Sequence, residues 1–204
     1  MGDKMTAALL FELFKRTLSE PRIVGAQLIA MNIPKQALWL ALAAMAVVMS
    51  LLASAMLQMA PLPEGELGDL FRMSPAYRSP LMFAVLQWGQ AVIGVFVLTW
   101  IGRIFGGEAA VEDMVVVMVW LQIVLFVLAL GATAVSVLLP PAAPIAMLAY
   151  VAWAVWMTLS MVDAAHRFDN SLKALCVLVT AFFALILGSA ILASMIGMAG
   201  GAGG

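Results

Sequence analysis

Apolar runs of about 20 residues or more recur along this chain, long enough for a helix to cross a bilayer, and the prolines and charges collect in the short segments between them. In hydrocarbon every unpaired backbone N–H or C=O costs several kcal/mol, so only α-helices and closed barrels can span it. Barrel strands alternate polar and apolar residues, whereas these runs stay apolar throughout. Composition points the same way, with 65% hydrophobic and 10% charged residues against roughly 45–50% and 25% for a soluble domain. So little charge covers a chain of this size only if most of its surface faces lipid. The expected fold is therefore all-α, a polytopic transmembrane helical bundle.

Five spans are expected within residues 34–199, at about 36–59, 80–102, 113–139, 146–162 and 175–198. Pro61, Pro63 and Gly65 stop the first, Pro80 starts the second, Gly106-Gly107 turns the chain into the third, and Pro140, Pro141 and Pro144 end that one. Residues 61–79 form the longest polar connection, and 163–173 a shorter one. Residues 200–204 read as a flexible glycine-rich tail. Residues 1–33 form an N-terminal arm of two short amphipathic segments, parted at Glu20-Pro21, with Pro21 suited to a first helical turn. Leu10, Phe11, Phe14 and Leu18 share a stripe on the first segment, and Ile23, Val24, Leu28 and Met31 carry the second. Such helices lie in the membrane interface, the alternative being that they pack on a partner or on the bundle's own cytoplasmic end. The arm interleaves Glu12, Lys15 and Arg16 with its apolar residues and lacks the pattern of a cleavable signal.

Lys4, Lys15, Arg16, Arg22, Lys35, Arg103, Arg167 and Lys173 all fall on one side if there are five spans, and an even number would scatter them. The opposite side has Arg72 and Arg78, diluted by Glu64, Glu66 and Asp69. The positive side is cytoplasmic, which puts the N-terminus in the cytoplasm and the C-terminus outside. Trp39 and Trp100 suit the cytoplasmic headgroup level, while Trp88, Trp120, Trp153 and Trp156 fill gaps between helices.

Residues able to carry chemistry are few. His166 is the one histidine, three residues after Asp163, and Glu108, Glu112 and Asp113 approach the same membrane face. Glu112, Asp113, Asp163 and His166 thus form a candidate polar cluster, able in principle to hold a metal or relay a proton. The plainer reading is a set of helix-end caps, acids at an N-terminus and His166 and Arg167 at a C-terminus. No Ser–His–Asp spacing, phosphate loop or metal motif is present, so no catalytic, cofactor or metal residues are assigned. Gln87, Gln90 and Gln122 are candidates for intramembrane hydrogen bonds, alongside Ser50, Ser54 and Gln58. No span interior holds an ionisable group, which argues against ion-coupled transport. Methionines four apart (Met45 and Met49, Met114 and Met118, Met157 and Met161) read as flexible core filler before copper ligands. Cys176 reads as ordinary packing. Ser189, Ala193 and Gly197 stand at steps of four, a candidate face for close helix packing.

Four stretches carry a family likeness. They are Glu20-Pro21-Arg22 leading to Asn32-Ile33-Pro34 and Leu38-Trp39-Leu40; Gly102-Arg103-Ile104-Phe105-Gly106-Gly107; Glu112-Asp113 with Trp120-Leu121-Gln122; and His166-Arg167-Phe168 with Leu172-Lys173-Ala174. In these, and in its five spans with an inward N-terminus, the chain resembles the small bacterial members of the Yip1-domain family. The resemblance runs from about Pro21 to Gly197 and implies a non-enzymatic helical membrane protein of the bacterial inner membrane. Eukaryotic relatives act in vesicle trafficking and bind small GTPases through cytosolic parts, but the short arm here does not carry that role over. The expected function is a scaffold, accessory subunit or membrane-organising partner. Its partners would be membrane lipids and other integral membrane proteins or a second copy, with no cofactor; a net charge of −1 argues against nucleic acid. The alternative is a passive channel or permease lined by Gln58, Gln87, Gln90 and Gln122.

Overall fold

The computed structural model describes residues 7–59 and 62–201, with side chains described for 8–59 and 62–188. Among the described residues every regular element is helical. The arm supplies α1 (Ala7–Thr17) and α2 (Pro21–Ala30); five long helices follow, α3 (Lys35–Met59), α6 (Pro80–Ile104), α7 (Val111–Leu138), α8 (Ala143–His166) and α9 (Ser171–Gly201). All five are long and apolar enough to cross a membrane, α8 together with the 3-10 turn Pro140–Ala142 before it. The connection between α3 and α6 is not plain loop, because it winds into α4 (Glu66–Met73) and α5 (Pro75–Arg78). Glu66 and Asp69 in the first turn of α4 and Arg72 in its last complement the helix dipole.

The long helices form a closed ring. Helix α3 lies between α6 and α7, α9 closes the circuit between α6 and α8, and α8 packs along α7. One stripe of α3 is buried, made of Leu38, Leu42, Ala46, Ser50 and Ser54 at steps of four. Its small residues allow neighbouring backbones to come close, which is how helices gain dispersion energy where lipid is as apolar as leucine. Helix α7 is the innermost span, with 44% of its apolar window buried against 17–22% for the others. It has α3 and α8 beside it, and the arm covers a further face.

Two boundaries differ most from the sequence expectation. Helix α8 runs on past residue 162, through Asp163 to His166, and ends where Arg167 turns left-handed at φ 56°. It continues because those polar residues are buried among protein groups and do not mark a water boundary. Helix α9 begins at Ser171, where the Asn170 side chain accepts from the Leu172 amide at 2.9 Å, an N-terminal cap. Cys176 lies exposed on the outer surface and is not packed inside.

The arm does not extend away from the bundle. Helix α2 buries Pro21, Val24, Gly25 and Leu28, and packs on α8 and α7. A Cβ at Gly25 would stand 3.0 Å from both Ala164 Cβ and Met161 Sδ, so glycine lets α2 lie directly on α8. At the end of α1, the buried Thr17 hydroxyl donates to Leu13 O at 2.7 Å and accepts from Trp120 Nε1 at 2.9 Å. The indole of Trp153 donates to Leu18 O at 3.2 Å. Both indoles anchor the arm; of the four tryptophans expected to fill gaps between helices, Trp120 is buried, while Trp88, Trp153 and Trp156 are exposed.

Candidate functional site

The polar residues singled out in the sequence meet where α2, the α6–α7 turn and the α8–α9 loop converge. Asp163 projects from the last turn of α8, with only 4% of its side chain exposed. Arg22, at the start of α2, pairs with it at 2.9 Å and pairs also with Asp169 in the following loop. The second oxygen of Asp163 accepts from the Asn170 amide at 3.2 Å, which ties the loop to the same carboxylate. A nearly buried carboxylate needs such partners, since an unpaired buried charge is strongly destabilising.

His166 is buried. Its Nε2 donates to Leu98 O of α6 at 3.2 Å, its ring stacks on Phe168 at 5.0 Å between centroids, and its Nδ1 has no partner. The ring sits in a slot between Gly102 and Gly107. A Cβ at Gly102 would overlap the ring, lying 2.7 Å from Cδ2, and one at Gly107 would stand 2.7 Å from Cγ. The turn that delivers Gly107 needs glycine before it too, because Gly106 takes φ 84°. The Glu108 amide then donates to His166 O at 3.2 Å, and Arg103 donates through Nε and Nη2 to Ala109 O at 3.1 and 3.0 Å.

Glu112 and Asp113 stand at the head of α7, where acids oppose the helix dipole favourably. Asp113 accepts from the Ala110 amide at 3.2 Å and faces Arg167 at 3.7 Å, while Glu112 pairs with Lys35 at the start of α3. The four residues of the candidate cluster share one end of the bundle but do not converge on a point. Each carboxylate has its own cation, and the imidazole bonds a backbone carbonyl. Among the described residues no group of His, Cys, Asp and Glu is placed to hold a metal. Chemically the arrangement is a clasp that holds arm, turn and loop on the ends of the spans. Arg22, Gly25, Gly102 and Thr17 were not legible as parts of it. Arg22 stands more than a hundred residues from Asp163 in sequence, and a glycine shows its use only once its neighbour is known.

The glutamines lie elsewhere. Gln87, Gln90 and Gln122 line one cavity of about 930 Å³ inside the ring, to which all five long helices contribute. No described hydrogen bond joins these three side chains, and the buried Gln122 Oε1 has no partner. Gln58 bonds Tyr77 O at 3.4 Å, outside that cavity. The side chains of Ser189, Ala193 and Gly197 lie outside the described residues. Of the methionine pairs, Met157 and Met161 are fully buried on α8.

The model of the Yip1 domain matches residues 15–198 of the chain. No curated protein and no solved structure matches it.

Proposed function

The chain belongs to the Yip1-domain family, and on that premise we propose that it is a non-enzymatic scaffold, accessory subunit or membrane-organising partner in the bacterial inner membrane. The observation that carries this reading is the clasped arm. Helices α1 and α2 are bonded to the spans through Thr17 and Arg22, with Val24 fully buried between them, yet Phe11 (61% exposed) and Ile23 (48%) remain uncovered. A preformed surface of this kind meets a partner without the ordering cost that a loose segment would incur. The groups that would run chemistry are occupied in holding it. The family is not an enzyme family, which supports the same reading.

Lys15, Arg16, Arg22, Lys35, Arg103, Arg167 and Lys173 lie on the arm or on the connections at that end of the spans, while Arg72 and Arg78 belong to the α4–α5 connection. By the positive-inside rule this distribution supports an arm in the cytoplasm and a C-terminus in the periplasm. The partner is another integral membrane protein or a second copy of the chain. The permease alternative draws no support from the geometry, since Gln58 stands apart and buried Ile101, Gly102 and His166 pack beyond Leu98 toward the cytoplasmic end. Extraction in mild detergent or polymer nanodiscs, followed by native mass spectrometry, tests the proposal. Wild-type chain should carry a membrane protein or a second copy, and Phe11→Ser with Ile23→Ser should release it while elution and thermal stability hold. A lone monomer in every gentle extraction refutes the role.

A further inference from the structure

We infer that the chamber inside the helix ring is a binding site for one uncharged long-chain lipid whose head carries a hydroxyl group. This inference does not depend on the scaffold role. Three observations carry it. The first is size and shape: at about 930 Å³ the chamber stands at the upper end of small-molecule pockets, and all five long helices line it. The second is that it is truly empty of protein. Gly94 is buried on α6, yet a Cβ built there meets nothing within 4 Å. The third is its unmet hydrogen bonding. Gln122 Oε1 is buried with no partner, and the half-buried Gln87 and the exposed Gln90 line the same chamber with no described bond. A buried amide without a partner costs free energy in so apolar a surrounding.

The chemistry of the walls selects the occupant. Apart from the three amides and Thr158, the lining is glycine, alanine, leucine, methionine, phenylalanine and valine. A charged head would lose its hydration there with no counter-ion, because no residue lining the chamber is charged. A pure hydrocarbon would fill the space and leave Gln122 Oε1 unmet. A hydroxyl donates to that oxygen and accepts from a glutamine N–H₂, and its tail takes the apolar walls. The way in is lateral. Phe182 and Phe183 of α9 and Val155 of α8 line the chamber and are also largely exposed, at 61%, 64% and 52%. Residues that do both stand at its mouth, so the ligand arrives from the bilayer between α8 and α9. Leu98 closes the inner end, its carbonyl held by His166.

Acylglycerols and isoprenoid alcohols both carry this chemistry, and photoaffinity labelling in nanodiscs separates them. The probes are a diazirine-bearing monoacylglycerol, a diazirine-bearing isoprenoid alcohol, and the fatty acid and fatty-acid methyl ester of matching length. At least one alcohol should label wild-type chain at peptides of α6, α7 or α9, and the stronger one names the source. The acid and the ester should label at least tenfold more weakly. Gln122→Leu should cut alcohol labelling by about tenfold. Gly94→Phe, whose Cβ meets nothing within 4 Å, puts a bulky ring into the space and should abolish it in a protein that still elutes and melts like wild type. Equal labelling by ester and alcohol, labelling unchanged in both variants, or labelled peptides confined to the arm would overturn the inference.

Discussion

A single methyl group at Gly102 tests whether the imidazole slot holds the arm-bearing end of the bundle together. In Gly102→Ala the new Cβ would sit inside the contact distance of Nε2 and Cε1 of His166 and 2.7 Å from Cδ2. The ring cannot retreat easily, since Phe168 stacks on one side and Gly107 allows no clearance on another. Overpacking of this kind costs about 1–3 kcal/mol, and loss of the bond to Leu98 O adds about 1 kcal/mol. The sum, roughly 2–4 kcal/mol, shifts the melting midpoint by on the order of 10 °C at about 2–4 °C per kcal/mol for a chain of this size. Tryptophan fluorescence of purified protein during heating reads the shift, with size-exclusion chromatography as a check on aggregation. Two comparisons sharpen it. Gly94→Ala meets no neighbour and should be neutral or stabilising by up to about 1 kcal/mol, as alanine is the better helix former. Gly102→Ala combined with His166→Ala should cost little more than His166→Ala alone, because the obstacle has gone. If Gly102→Ala melts within about 1 °C of wild type, or if the two substitutions simply add, the slot does not do what is argued for it.

The clasp predicts further outcomes. Arg22→Ala leaves the nearly buried Asp163 with only the Asn170 amide, and should destabilise by about 1–2 kcal/mol, the half-exposed arginine discounting the full value of a buried pair; it should also speed proteolysis within α1 and α2. Lys35→Ala removes a more exposed pair with Glu112 and should change the melting midpoint by less than about 2 °C. Thr17→Val strands the Trp120 indole N–H and should cost about 1–3 kcal/mol, whereas adding Trp120→Phe should recover part of that loss. In a Cys176→Ser background, single cysteines placed at Glu66 and Glu108 should react with a membrane-impermeant maleimide from opposite sides of the membrane.

How far the sequence reveals this structure depends on the range of the interactions. The five long helices are legible because an apolar run of span length has one stable form in lipid, and turn residues such as Gly106 mark where the chain reverses. The end of α8 is not, because Asp163 and His166 look like an exit into water until Arg22 and Leu98 are seen beside them. For the same reason the apolar residues of the arm mark two short helices but do not say that α2 lies on α7 and α8. Spacing puts Gln87 and Gln90 on one face, yet nothing local tells that Gln122 of another helix lines the same chamber.

The neighbour order of the ring also bears on how the protein is made. Helix α9, which follows the other four in sequence, packs between α6 and α8. While the ribosome is still producing it, the earlier four helices enclose only an open trough, and the flanks of α6 and α8 that α9 will cover face surrounding lipid. Closure waits until α9 has followed the other four helices, so whatever molecule lies in that trough at the time is surrounded as α9 moves into place.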